Sequence, residues 1–381
     1  MTNTLHKRYL TDQIKQDLKD KMVFLAGPRQ IGKTTLALNI LKGQEDHPAY
    51  FNWDNFEDQK KILALELPPK QKIIVLDEIH KYKKWRNYLK GLYDKTKSKR
   101  SYLITGSARL DLYSRGGDAL TGRYHFHRLH PLTLPELDKK FSQNTLEQLM
   151  KFGGFPEPFL AASERVWRRW QKERSHQVLK DDLRDLERVE EIDLIAHLAE
   201  RLPDLIGSPL SINSLREDLQ VSHATLKKWL TILEKLFVFF RLSPFGAPKI
   251  RAVKKEQKPY MWDWSLVSEP GHRFENLVAS HLLKYCHFHE DAHGHNMELR
   301  YIRDTDKREV DFVVIKNNKP LFAVECKTNK TDVAPALRYF AERTSIPKFY
   351  QVHMGENDFE HALLPIRVLP FSTFCKEENL L

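Results

Sequence analysis

Lys33 and Thr34 stand directly behind the second of two glycines in Gly27-Pro28-Arg29-Gln30-Ile31-Gly32-Lys33-Thr34-Thr35. That spacing suits phosphate chemistry. The glycines let the backbone turn tightly, so that successive N–H groups converge on phosphate oxygens. Lys33 would reach the β- and γ-phosphates, and the Thr34 hydroxyl would complete the shell of a Mg²⁺ ion. The apolar run VFLA before the loop predicts a strand, and TTLALNILK after it predicts a helix whose positive dipole end faces the anion. All nine residues, Gly27 to Thr35, are therefore expected to form a nucleotide-binding loop. The plainer alternative is a glycine turn with a surface lysine.

KIIVLDEIH (72–80) reads as a buried strand that delivers Asp77 and Glu78 at its carboxyl end, the edge where ligands sit in open α/β sheets. Asp77 would hold Mg²⁺, directly or through water, and Glu78 would polarise the water that attacks the γ-phosphate of ATP. A nucleotide switch or a small-molecule kinase does not require the second carboxylate, so hydrolysis is expected. Otherwise the two acids would merely cap the next helix. A third strand, SYLITGSARL (101–110), places Thr105 and Ser107 where they could sense the γ-phosphate. Arg109, Arg115 and Arg123 follow, and any of them could neutralise transition-state charge in cis or from a neighbouring subunit of a homo-oligomer. In a chain this basic a solvated surface position is the ordinary role of each. Arg123 is the best placed, because LTGRYHF sets a glycine before an alternating strand.

GPRQIGKTT, LDEIHKYKKWRNYLKGLYD, ITGSARL, LTGRYHFHRLHPLTLPEL and GGFPEP follow one another in an order that resembles the large prokaryotic family of AAA-type ATPases carrying a C-terminal domain of unknown function. The resemblance spans nearly the whole chain. It implies ATP binding and hydrolysis and adds no substrate. GGFPEP and HPLTLPEL mark the family without disclosing a chemical role.

The chain has 381 residues and a net charge of +11, which suits an anionic partner, either nucleic acid or a membrane surface. Its three cysteines, Cys286, Cys326 and Cys375, form no framework, which fits a reducing compartment. MTNTLHKRYLTDQIKQ lacks the apolar core of a signal peptide, and the longest apolar run, near Leu236 to Phe240, is too short to span a bilayer. A cytoplasmic protein without membrane contact is expected. The fold class is α/β. Residues 1–150 are expected to form a P-loop parallel-sheet domain, 151–265 a helical and winged-helix domain, and 266–381 an α/β domain of restriction-endonuclease type.

The winged-helix expectation rests on SPLSINSLREDLQVSHATLKKWLTILEKLFVFFRLSPF, where Ser222 caps a second helix striped by Leu226, Leu230, Leu233 and Leu236. FVFFRL and KPYMWDW would supply the wing strands. His223, Thr225, Lys227 and Lys228 would be exposed on the recognition helix. Residues 227–258 carry nine Lys/Arg against two acids, which suits DNA phosphates. Winged helices also dock proteins, so both partners stay open.

In the last third, HRFENLVASHLLKYC is an amphipathic helix bearing Glu275, and REVDFVVIKNNKPLFAVECKTNK is a hairpin turning at Asn317-Asn318. Asp311 lies on its first strand, and Glu325 and Lys327 share a face of the second. This set resembles the metal-dependent nuclease core of many restriction enzymes, in which carboxylates hold Mg²⁺ and the lysine serves the nucleophile. The alternative is a fold kept for assembly, or for gripping DNA ends without cutting. His125, His127 and His130, and the later group His287, His289, His293 and His295, lack zinc-site spacing. The leading expectation is a DNA-associated, Mg²⁺-dependent ATPase whose nucleotide state controls the appended modules. A nucleotide-dependent protein-binding switch with a non-catalytic C-terminal domain is the alternative.

Overall fold

In the computed structural model, residues 7–106, 120–183, 191–246, 256–328 and 332–381 are described, with backbone only for 180–182. The chain divides into two compact units, residues 1–130 and 131–381.

The first unit is built on five parallel strands: β1 (Met22–Ala26), β2 (Tyr50–Asn52), β3 (Ile73–Asp77), β4 (Ser101–Thr105) and β5 (Tyr124–Arg128), in the order β2-β3-β4-β1-β5. Every residue of β1 is buried, as are Ile74 to Asp77. Parallel strands covered on both faces read as continuous apolar runs, and that is how VFLA and IIVL stand in the sequence. Helices Lys33–Leu41, Phe56–Ala64 and Trp85–Thr96 make the crossovers between the first four strands. Phe24, Ile62, Leu76, Trp85, Leu89 and Ile104 pack into one core. Strand register aligns the functional ends. Asp77 is opposite Thr105 on one side and Asn52 on the other, and Thr105 is opposite Leu25. The carboxyl ends of β3, β4 and β1 therefore reach one edge together.

The second unit contains an eight-stranded mixed sheet, β12-β13-β11-β10-β9-β8-β6-β7. Its strands are β6 (Phe239–Pro244), β7 (Lys258–Met261), β8 (Met297–Arg303), β9 (Glu309–Lys316), β10 (Lys319–Lys327), β11 (Phe349–His353), β12 (Phe359–Glu360) and β13 (Ile366–Pro370). Strands β9 and β10 turn at Asn317 and Asn318, both at positive φ (50° and 63°), a backbone that asparagine tolerates. Strands β6 and β7 pair antiparallel, and β6 also pairs in parallel with β8 through Ser243–Arg300 and Pro244–Tyr301. The hairpin expected to be a wing thus continues a sheet whose other strands lie beyond residue 265.

The two motifs without a chemical role turn out to be joints inside this unit. Leu132 N–H donates to Gly154 O at 2.7 Å. A Cβ on Gly154 would lie 2.4 Å from the Trp264 ring and 2.5 Å from Leu132 O, so only glycine fits there. Thr133 and Glu136 receive the buried Lys284 ammonium, each at 2.7 Å, from the long helix Pro270–His293. On the same helix His281 accepts the Leu134 N–H at 3.0 Å, and its Nδ1–H donates to Leu277 O at 2.8 Å. HPLTLPEL and GGFPEP hold the unit together through backbone groups and the Thr133 and Glu136 side chains, which explains residues that show no catalytic pattern.

Candidate functional site

The loop after β1 is shaped by backbone. Gly27 lies at φ 152°, where a Cβ would come within 2.5 Å of Leu129 O, and Gly32 at φ 93° opens the helix Lys33–Leu41 without a side-chain cap. Gln30 is also left-handed, at φ 62°. Arg8 steadies the far side of the loop, donating to Ile31 O at 2.9 Å and His130 O at 2.5 Å. Lys33 is buried, and its ammonium donates to Pro28 O at 2.8 Å and Gly27 O at 3.0 Å. The loop's own carbonyls hold that cation over the turn.

Asp77 gathers three hydroxyls. Thr34 donates to its Oδ2 at 2.7 Å, Tyr50 to the same oxygen at 2.9 Å, and Thr105 to Oδ1 in a shorter contact. Glu78 comes next in the left-handed region (φ 56°), a conformation that costs about 1 kcal/mol or more for a residue with a Cβ. Its N–H is secured by Thr105 O at 2.9 Å. Burial pushes the Glu78 carboxyl above the usual glutamate range; Lys33 opposes that and the Asp77 charge adds to it. His80 Nε2 and Lys81 Nζ stand 3.6 and 3.7 Å from Glu78 Oε2. Sequence reasoning missed Tyr50 and His80. Tyr50 comes from a three-residue strand with no motif, whereas His80 was visible two residues past Glu78. The hydroxyl of Thr34 and the carboxylate of Asp77 are hard oxygen donors in direct contact, the type Mg²⁺ takes, and the residues present fit that ion.

Comparison with known proteins agrees with this geometry. Residues 19–137 match a family model described as an AAA domain. Residues 19–137 form an AAA-type P-loop domain. Residues 143–269 and 270–374 match two further models, each described as a domain of unknown function (DUF8612 and DUF4143). An uncharacterized protein of Methanocaldococcus jannaschii is 25% identical over 348 residues, covering 83% of this chain and 77% of that one. One of Haemophilus influenzae is 22% identical over 368 residues, 86% and 88% of the two chains. A third, from Mycobacterium tuberculosis, is 27% identical over 248 residues; the match spans 65% of this chain and 55% of that protein's own length. Among solved structures, the Aeropyrum pernix ORC1 protein in complex with DNA is similar at 13% identity and TM-score 0.32, over 71% of this chain and 90% of that one. A STAND-class signal-transduction ATPase from Pyrococcus horikoshii gives TM-score 0.22 at 16% identity, over 72% and 44%. At such scores neither structure bears on fold or function.

Within the AAA-type domain the structure brings together Gly27 to Thr35, Asp77, Glu78 and Thr105. Ser107, Arg109 and Arg115 lie outside the described residues. Arg123 is not brought to the loop. Its backbone O accepts from Met22 N–H at the amino end of β1, the edge opposite Gly27, roughly 16 Å of strand away. Its guanidinium makes a two-point pair with Asp94, at 2.9 and 3.1 Å.

Among the described residues no helix is long and apolar enough to cross a membrane. In the second unit, Ser222 Oγ caps the helix His223–Lys235 by accepting Thr225 N–H at 3.1 Å. Leu226, Leu230, Leu233 and Leu236 are buried, while His223, Lys227 and Lys228 are exposed and Thr225 is half-buried. The basic excess nearby is smaller than its count. Arg241 is paired with Glu234 at 2.8 Å, Lys258 is fully buried, and residues 247–255 lie outside the described part.

Glu275, Asp311, Glu325 and Lys327 do converge. Cys326 N–H donates to Asp311 Oδ2 at 2.8 Å, and Lys327 Nζ lies 2.6 Å from Glu325 Oε1. Burial raises the Asp311 carboxyl well above its usual range, and the charges of Glu275 and Glu325 add to this. Three further residues join them that sequence reasoning missed: Lys258, Tyr260 and Glu309. Period-two spacing was the signal, since Glu309 shares a face with Asp311 and Lys258 with Tyr260. With Lys258 among these acids the set does not fit a divalent ion, and among the described residues no group of three His, Cys, Asp or Glu side chains is arranged to hold one.

Proposed function

We propose that this chain is a DNA-associated ATPase. ATP would replace the loop carbonyls as the partner of Lys33, with its phosphates on the N–H groups of Arg29 to Thr35. Mg²⁺ would take Thr34 and Asp77 as its protein ligands and supply charge neutralisation at the phosphates. Glu78, held two strands from the loop and raised by burial, would accept the proton of the attacking water. Thr105 would keep Asp77 oriented. The observation that carries this reading is the meeting of Lys33, Thr34, Asp77 and Glu78 at one sheet edge.

In this reading the chain has three functional parts: residues 1–150 for nucleotide, 151–265 as a winged helix, and 266–381 as a domain of restriction-endonuclease-like fold. DNA association is supported by the net charge of +11 and by exposed His223, Lys227 and Lys228 at the start of a capped helix. The chemistry of the loop and a reducing-compartment cysteine usage suit a cytoplasmic protein. The competing reading, a nucleotide-dependent switch that grips a protein, draws on the buried Lys258 seated among the carboxylates of the third part. ATP turnover measured with and without DNA, together with DNA affinity over a range of salt, decides between them. Stimulation by DNA and a steep loss of affinity with salt are expected, and Lys227→Ala with Lys228→Ala should lower the log–log slope by about 2. No DNA binding even at low salt would favour the protein-binding switch.

A further inference from the structure

Lys258 opens β7, and its side chain is wholly buried. Its ammonium donates to Glu309 Oε1 at 2.6 Å and Glu275 Oε1 at 3.1 Å, and lies 3.8 Å from Asp311 Oδ1. The acids come from the helix Pro270–His293 and from β9, so one cation ties three elements. Tyr260, on the same face of β7, donates its hydroxyl to the same Glu275 oxygen at 2.7 Å.

We propose that the Lys258 ammonium takes the place of the divalent ion in this centre, so that the domain keeps the carboxylates of a nuclease-like core in a metal-free form and does not cut phosphodiesters. The proposal rests on reading residues 266–381 as that fold. Three features of the donor set carry it. Glu275 Oε1 already accepts from both Lys258 and Tyr260. Both oxygens of Asp311 are engaged, Oδ2 by Cys326 N–H and Oδ1 by the facing ammonium. Glu325 gives one oxygen to Lys327, and its other, Oε2, is buried without a hydrogen-bond partner among the described residues. A divalent ion could gain the Glu275 and Asp311 oxygens that face this centre only by displacing the buried ammonium from them. The ammonium is also firmly charged: burial alone would lower its pKa, but Glu275, then Asp311 and Glu309, outweigh burial and raise it above the ordinary lysine range. A buried charge persists only where it is paired and hydrogen-bonded, and Lys258 is both.

The test is Mn²⁺ binding by the full, nucleotide-free chain, read from the spin-resonance signal of free Mn²⁺. The wild type should show no site that Glu325→Gln removes, and it should cleave no DNA with Mg²⁺ or Mn²⁺. Lys258→Met should gain one Mn²⁺ site, lose it again when Asp311→Asn is added, and show a rise in Tm at ~1 mM Mn²⁺ that the wild type lacks. A wild-type site abolished by Glu325→Gln would overturn the proposal and leave the nuclease-like reading standing. A folded Lys258→Met chain that takes up no Mn²⁺ would overturn both. Should that variant fail to fold, the wild-type and Glu325→Gln titrations decide alone.

Discussion

Two clusters in this molecule combine lysine with carboxylates, and they use the lysine in opposite ways. In the AAA-type domain Lys33 is hooked on the carbonyls of Gly27 and Pro28, and Asp77 is satisfied by the hydroxyls of Thr34, Tyr50 and Thr105. Every one of those contacts is neutral on one side, so a polyanion and its cation can displace them at modest cost. In the C-terminal cluster Lys258 sits directly on Glu275 and Glu309. There the carboxylates already face an ammonium inside the protein, and a ligand would have to break a buried ion pair to enter. The same residue types therefore make a receptive site in one place and a closed one in the other. Partner identity decides which.

The largest effect expected from this contrast is at Lys33. Lys33→Ala should abolish nucleotide binding in a fluorescent-nucleotide titration while leaving the fold intact, because the loop is shaped by backbone at Gly27 and Gly32. Retained affinity would break the comparison at its receptive end.

Next comes Lys258. Its loss strands buried carboxylates, so Lys258→Met should cost ~3–5 kcal/mol in denaturant unfolding. Lys327, half-exposed beside Glu325, should cost ~1 kcal/mol or less when changed to Met. Equal costs would show that burial is not what separates the two lysines.

A third expectation concerns acid. Burial holds the His281 imidazole down at about 3, with nearby Lys284 adding to this and the hydrogen bond to Leu277 opposing it. The folded state keeps this ring neutral and the unfolded chain protonates it near pH 6.5, so stability is full above that pH and is lost as pH falls from about 6.5 toward 3. The slope should approach ~1.4 kcal/mol per pH unit. His281→Asn should flatten that slope in unfolding free energies measured across pH 4 to 7; an unchanged slope would assign the acid sensitivity elsewhere.

The smallest effect belongs to Arg123. Because its guanidinium is paired with Asp94 at the edge away from the loop, Arg123→Ala should leave both nucleotide affinity and the unfolding midpoint at the wild-type level.

The same contrast separates what was legible in the sequence from what was not. The P-loop was legible because its chemistry is contiguous: the glycines, Lys33 and Thr34 lie within one turn, and an apolar run announces the strand beneath it. Asp77 and Glu78 were legible because a buried strand must end somewhere, and acids at its end have few other uses. Arg123 misled because Gly122 before an alternating strand marks a strand start, and in a parallel sheet the start lies opposite the ligand edge. Glu275, Asp311, Glu325 and Lys327 were found by spacing. Lys258 was counted as one of nine basic residues facing DNA, and nothing local distinguishes it; only the pairing of β6 with β8 carries the hairpin onto the C-terminal sheet and buries that side chain. The joints HPLTLPEL and GGFPEP stayed mute for a related reason, since they act through backbone groups, a close approach at Gly154, and Thr133 and Glu136 contacts to a lysine 151 and 148 residues away in sequence.

Glu78 is where the receptive cluster is most directly tested. ATP turnover with Mg²⁺ should fall ~10²- to 10⁴-fold in Glu78→Gln, while nucleotide affinity stays at the wild-type level. Turnover equal to the wild type would contradict the assignment of that cluster in the AAA-type domain as the site of hydrolysis.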